Sequence, residues 1–178
     1  MKKNQIYGIV SIGLGVLLLI SLLFSAFVYQ ATFILADNAV KNYPYSFMIL
    51  ISYINYPYSV VVNILSWVSL LVLISSIVLV ILGIVLLLNK NEKEKLYKSI
   101  LVISILAGVM AIAAAVLAIP VADIIKPGVG VEPNHYTLKR TIFPGAGIFL
   151  LSLVGIVCIT ALFFIEKFII RRKINEKV

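Results

Sequence analysis

Four side chains with the chemistry to hold a metal ion or to carry a proton lie between or beside the long apolar stretches of this chain. They are Asp37, Asp123, Glu132 and His135. Carboxylate oxygens and imidazole nitrogens are common metal ligands and proton carriers. No tight spacing joins the four, and the sequence leaves open whether they form any site. We predict no catalytic, metal or cofactor site, and we expect that the chain is not an enzyme. An enzyme at the outer surface that uses His135 with Asp123 or Glu132 is the least favoured alternative.

The remaining reactive residues support the same prediction. His135 is the single histidine, so one chain cannot supply two histidine ligands to a haem. Cys158 is the single cysteine and cannot form an internal disulfide. Gly8, Gly13 and Gly15 lie inside an apolar stretch, where a phosphate-binding loop is not expected.

Hydrophobic blocks determine how these residues are positioned. The chain is 62% hydrophobic and 12% charged, against about 45–50% and about 25% in soluble domains. Four stretches reach the roughly 20 apolar residues that cross a bilayer, namely residues 6–36, 67–88, 100–119 and 142–165. Backbone polar groups in hydrocarbon must be paired internally, and the stretches lack the alternation of barrel strands. We therefore predict an all-α multi-pass membrane protein, a single domain over residues 1–178 folded as an antiparallel four-helix bundle.

The distribution of cations predicts the orientation. Eleven of the 15 Lys and Arg residues lie in the N-terminus, the loop 89–99 and the tail 166–178. Such cations accumulate on the cytoplasmic side. We predict a cell-membrane protein with both termini cytoplasmic and with outer loops at 37–66 and 120–141. The positive charge indicates lipid headgroups and not nucleic acid as its partner, chiefly through Lys167, Arg171, Arg172 and Lys173.

Aromatic residues fit this orientation. Tyr7 and Tyr97 should lie near the inner interface, and Tyr29, Trp67 and Phe143 near the outer one, as an aromatic belt requires.

A short repeat marks the first outer loop. Asn-Tyr-Pro-Tyr-Ser occurs at 42–46 and again at 55–59, with the apolar run 47–54 between the copies. This pattern predicts either two interfacial turns around a surface helix or an aromatic docking surface for a partner protein. The docking surface would use Tyr43, Tyr45, Tyr56 and Tyr58.

Small residues follow the third apolar stretch at helical spacing. Ala107, Ala111 and Ala115 are four residues apart, and small side chains allow membrane helices to approach closely. We expect the third helix to be central and to pack within the chain, with a partner or a second copy as the alternative.

The middle of each span has no charged residue, which argues against a proton-coupled carrier. Claudin-like and tetraspanin proteins share this four-span arrangement, but the chain lacks their outer cysteines, so we infer no kinship. We predict an accessory subunit that binds other membrane subunits or itself. The alternative is a small transporter or channel formed by oligomerisation, with serines lining the path.

Overall fold

The fold combines four long helices with a small β-sheet. The computed structural model describes residues 3–34, 40–57, 59–89, 94–125 and 136–175. Its helices are α1 (Lys3–Leu23), α2 (Phe47–Ile51), α3 (Val60–Leu88), α4 (Glu94–Ile124) and α5 (Ala146–Asn175). Its strands are β1 (Ser25–Ile34), β2 (Val40–Ser46) and β3 (Tyr136–Pro144). The protein is therefore mostly helical, and α1, α3, α4 and α5 are long and apolar enough to cross a membrane.

The buried positions of the long helices recur every three or four residues. On α3 they include Val62, Leu65, Ser69, Val72, Ser76, Leu79, Gly83 and Leu86, and Ser66 beside Leu65 is buried as well. On α4 they include Tyr97, Ile100, Ser104, Ala107, Ala111, Ala114, Ala118 and Val121. This period of 3.5 residues is typical of helices that cross at small angles in a bundle. The remaining faces are also apolar and exposed, as lipid-facing helix surfaces are.

The long helices form a ring and do not surround a central member. The principal packing pairs are α1 with α3, α3 with α4, α4 with α5, and α5 with α1. The prediction that the third span is central is therefore wrong, because each long helix has two principal neighbours. Contacts along one pair run in opposite order, since Asn4 meets Asn89 whereas Ser11 meets Leu79.

The all-α prediction fails at one end of the bundle. A three-stranded antiparallel sheet with the order β2-β1-β3 lies there, and Tyr29 of β1 is opposite both Tyr43 and Ile142. The predicted first span, residues 6–36, covers β1 because most residues of the strand are apolar. A helix over 6–36 would be about 46 Å long, well beyond a hydrocarbon core of about 30 Å. Aromatic and β-branched residues such as Phe27, Val28 and Thr32 favour the strand.

Other boundaries also differ. Helix α3 begins at Val60 and α4 extends from Glu94 to Ile124, so both exceed the predicted spans 67–88 and 100–119. Helix α5 begins at Ala146 and continues to Asn175. The predicted tail from residue 166 is thus helical over most of its length.

Glycines bring α1 and α3 into backbone contact. A Cβ atom on Gly15 would lie 2.6 Å from the carbonyl oxygen of Ser76, and one on Gly83 would lie 2.7 Å from that of Gly8. Between α4 and α5, a Cβ atom on Gly108 would lie 2.6 Å from the carbonyl oxygen of Gly155, and one on Gly155 would lie 2.8 Å from that of Gly108. Only a residue without a side chain fits at these crossings.

Gly15→Ala tests this packing. We expect the substitution to lower the free energy of unfolding by about 1–3 kcal/mol, because the added methyl group overpacks the α1–α3 contact. Gly13→Ala is the matched control, since a Cβ there meets no atom within 4 Å. Its effect should be neutral or stabilising by up to about 1 kcal/mol through helix propensity. Unfolding by sodium dodecyl sulfate in mixed micelles, followed by circular dichroism, measures both; equal losses would contradict the contact.

Candidate functional site

The two copies of the Tyr-Pro repeat have different folds but share one local function. The first copy is strand β2, whereas the second forms a turn in which Asn55 has φ +70°. Both copies end on a serine that caps the next helix. Ser46 accepts a hydrogen bond from the backbone N–H of Ile49, and Ser59 accepts one from that of Val62. The repeat therefore marks the starts of two helices. The preference for serine at N-cap positions is the sequence signal that indicates them.

The second copy is fixed by Asn63 of α3. The Asn63 side chain accepts a hydrogen bond from the Tyr56 N–H at 2.6 Å and donates one to the Tyr56 carbonyl at 2.9 Å. The ring of Tyr56 lies 5.7 Å from that of Tyr53 in an edge-on arrangement. The turn is therefore attached to the bundle through both its backbone and its rings.

Two of the four predicted docking tyrosines contribute to the core instead of standing free. Tyr45 stacks on Phe27 with 5.1 Å between ring centroids, and Tyr56 packs against the buried core. Tyr43 is half-buried, and Tyr58 lies outside the described residues. Docking through these rings stays a prediction, and the described residues Tyr43, Tyr45 and Tyr56 are each only partly exposed.

Helix α2, between the two copies, presents apolar groups on opposite sides. Phe47 and Leu50 are fully buried, whereas Met48 is 38% and Ile49 46% exposed. Ser66 of α3 donates a hydrogen bond to the Leu50 carbonyl at 2.7 Å. The helix thus packs over the mouth of the bundle and leaves Met48 and Ile49 on the surface. We call the described residues 42–57 the Tyr-Pro surface.

The alanine stripe of α4 lies inside the chain. Ala107, Ala111 and Ala115 are at most 1% exposed, and a Cβ atom on Gly155 of α5 would lie 3.4 Å from that of Ala111. The intramolecular alternative accounts for these residues, so the structure leaves them out of reach of a partner.

The opposite end of the bundle has a polar and aromatic cluster. Tyr97 donates a hydrogen bond to the side chain of Asn4, which itself donates to the Asn89 carbonyl at 2.9 Å. The Lys3 ammonium lies 4.6 Å from the centroid of the Tyr97 ring, within the range of a cation–π contact. The cluster joins the start of α1, the end of α3 and the start of α4.

Tyr7 and Tyr97 therefore do not form a lipid-facing belt. They are 2% and 6% exposed, with ring centroids 4.9 Å apart. Trp67 and Phe143 are about half exposed, and their place in an outer belt stays a prediction. The side chain of Tyr29 lies outside the described part of the structure.

Buried serines bond to backbone carbonyls. Ser11 donates to Leu79 across the α1–α3 contact, and Ser104 donates to Cys158 across the α4–α5 contact, each at 2.7 Å. Ser69 is buried with no hydrogen-bond partner among the described residues. The hydroxyl groups of Ser11 and Ser104 therefore connect helices, and a solute path lined by serines stays a prediction.

The predicted polar and cationic residues are only partly described. Asp123 is exposed at the end of α4, whereas Asp37, Glu132 and His135 lie outside the described residues. Lys167 is exposed on α5, and the same helix includes positions 171, 172 and 173.

Comparisons of this chain with protein-family models, with characterised proteins and with solved structures found no match. The geometry therefore defines a class and no family: a mostly helical protein with four membrane-capable helices and a small sheet at one end.

A double serine variant tests the role of the hydroxyl groups. Each interhelical hydrogen bond in a membrane protein contributes about 0.6 kcal/mol, and Ser11 and Ser104 lie in different helix pairs. We expect Ser11→Ala with Ser104→Ala to lower the free energy of unfolding by about 1 kcal/mol, because such effects add at separate sites. Thr160→Ala is the control, since exposed Thr160 bonds only to Ile156 of its own helix. No loss in the double variant would contradict a packing role.

Proposed function

We propose that the chain is a cell-membrane accessory subunit with both termini cytoplasmic, which binds other membrane subunits or further copies of itself through the Tyr-Pro surface. The observation that carries this proposal is the two-sided helix α2. Phe47 and Leu50 anchor it in the bundle, while Met48 and Ile49 remain exposed beside the sheet.

The placement of charge supports the orientation. The end of the bundle where α1 and α4 begin and α5 ends carries Lys3, Lys95, Lys98 and Lys167, and the sheet carries Lys41, Lys139 and Arg140. Over the whole sequence, eleven of the 15 Lys and Arg residues lie in segments assigned to the first end. The sheet and α2 belong to the other end, since β1 follows α1 and β3 precedes α5. Cations collect on the cytoplasmic side, so the sheet faces outward in this proposal and the four helices run alternately up and down.

The exposed apolar groups support partner binding. Apolar exposure along the long helices is accounted for by lipid, but α2 is a short helix outside those spans. Its fold is fixed by the Ser46 cap and by the Ser66 hydrogen bond. Because α2 is already held in place, little conformational entropy is lost when a partner contacts Met48 and Ile49. This favours binding.

Cysteine labelling tests the orientation. In a Cys158→Ser background, Asn42→Cys places a thiol on exposed β2 and Lys98→Cys places one on exposed α4. We expect a membrane-impermeant maleimide added to intact cells to modify residue 42 alone, and to modify both residues after permeabilisation. Modification of residue 98 alone in intact cells would show that the chain has the opposite orientation.

Ile49→Asp tests the partner surface. The wild-type chain, purified from its native membrane in mild detergent, should run in a complex heavier than one 19.6-kDa chain. The variant should release single chains, because a carboxylate would be desolvated in the apolar contact. Asn55→Asp adds the same charge within the Tyr-Pro surface without removing apolar area, and it should leave the complex intact.

Native mass spectrometry reads the mass and composition of the complex. A wild-type protein found only as single chains would contradict the proposal, as would equal behaviour of the two variants. Flux of a solute through the pure protein in liposomes would favour the transporter alternative instead.

A further inference from the structure

A cavity of about 420 Å³ lies where β1, β3, the end of α4 and the start of α5 meet. Its lining is apolar with one exception. The apolar part includes Phe27, Ala118, Ala122, Ile142 and Ile148, and the exception is Asp123. The volume falls within the range of about 300–1,000 Å³ that small-molecule sites occupy.

Small residues on α4 create the space. Ala118 and Ala122 face the cavity with single methyl groups where a larger side chain would fill it. Two glycines hold the opposite wall in place. The Gly145 N–H donates a hydrogen bond to the Ala26 carbonyl at 2.8 Å, and a Cβ atom on Gly147 would lie 2.7 Å from the Phe24 carbonyl oxygen. The start of α5 thus packs closely against the start of β1, and this contact forms one wall of the cavity.

The chemistry of the lining defines the ligand. In a membrane, the group that binds favourably to an apolar wall is hydrocarbon. Asp123 is exposed at the rim, and its carboxylate has no ion-pair partner among the described side chains. A carboxylate accepts hydrogen bonds and attracts cations. The site therefore complements a molecule with an apolar body and a single cationic head.

We propose that this cavity binds the hydrocarbon chain of an amphiphile whose head group carries an ammonium, and that Asp123 pairs with that ammonium. The proposal is independent of the Tyr-Pro surface, because none of the cavity's lining residues belongs to residues 42–57. A membrane lipid with an amine head and a free long-chain amine share this chemistry.

Native mass spectrometry of the full chain from uncharged maltoside micelles provides the test, with dodecylamine, dodecanol and dodecanoate as probes. We expect one dodecylamine to bind per chain, more tightly than either other probe. Asp123→Asn should weaken dodecylamine binding about two- to fivefold, the range for an exposed ion pair, and leave dodecanol unchanged. Ala122→Leu should weaken the binding of all three probes, because its three additional carbon atoms occupy part of the cavity.

Ala146→Leu is the control for the added volume, because exposed Ala146 does not line the cavity. Should Ala122→Leu fail to fold, the exposed Asp123→Asn variant still decides the charge preference. Equal binding of the three probes, tightest binding of dodecanoate, or full binding by a folded Ala122→Leu variant would overturn the proposal. Competition by added phosphatidylethanolamine would identify the lipid as the source of the ammonium, and its failure to compete would identify the free amine.

Discussion

Close contact between helix backbones is the constraint on which this structure depends. Apolar side chains gain little when they exchange lipid for a neighbouring helix, so association in a membrane relies on van der Waals packing and interhelical hydrogen bonds. The chain meets this need with Gly8, Gly15 and Gly83 between α1 and α3, and with Gly108 and Gly155 between α4 and α5. Ser11 and Ser104 add a hydrogen bond across each of these contacts. The small residues that suggested a docking face are therefore used inside the chain.

The packing of the long helices determines which groups remain available at the two ends of the bundle. Within the described spans, Ser11 and Ser104 join helices, whereas Ser21, Ser76 and Thr160 bond to carbonyls of their own helices. The exposed side chains along the spans are mostly apolar, and the exposed polar groups lie mainly toward the two ends. One end joins Asn4, Asn89 and Tyr97 in a hydrogen-bonded cluster. The other supports the sheet, helix α2 and the cavity beside Asp123. The proposals for binding therefore both concern the sheet end, where exposed groups are held in fixed positions.

Hydropathy and length predicted the four membrane-capable helices because long apolar runs have few other folds in a bilayer. The same reasoning missed the sheet. Apolarity alone does not distinguish a strand from the end of a span, and β1 contains Phe27, Val28 and Tyr29 directly after α1. The excess length of the first stretch was the available signal. Strand β3 lies in a segment assigned partly to a loop and partly to the fourth span, and its pairing with β1 joins residues more than 100 positions apart, which local patterns do not reveal.

The candidate sites were predictable to a smaller degree. Small residues at helical spacing indicated close packing. The sequence could not show which helix packs against them, because that depends on how the four long helices are arranged. The repeat indicated an ordered outer segment, although its tyrosines are partly buried and its serines cap helices. The cavity had no sequence signal, because Ala118, Ala122 and Phe27 come from distant segments. Sites of this kind arise only when the elements pack.

The most direct test of the packing is a disulfide between α4 and α5. The Ser104 hydroxyl of α4 lies 2.7 Å from the Cys158 carbonyl oxygen of α5 and also contacts the Cys158 thiol. Ser104→Cys should therefore oxidise with the native Cys158 within one chain and give a monomer of altered gel mobility. Cross-linked dimers, or reduced thiols that resist oxidation, would show that α4 does not pack against α5 of its own chain.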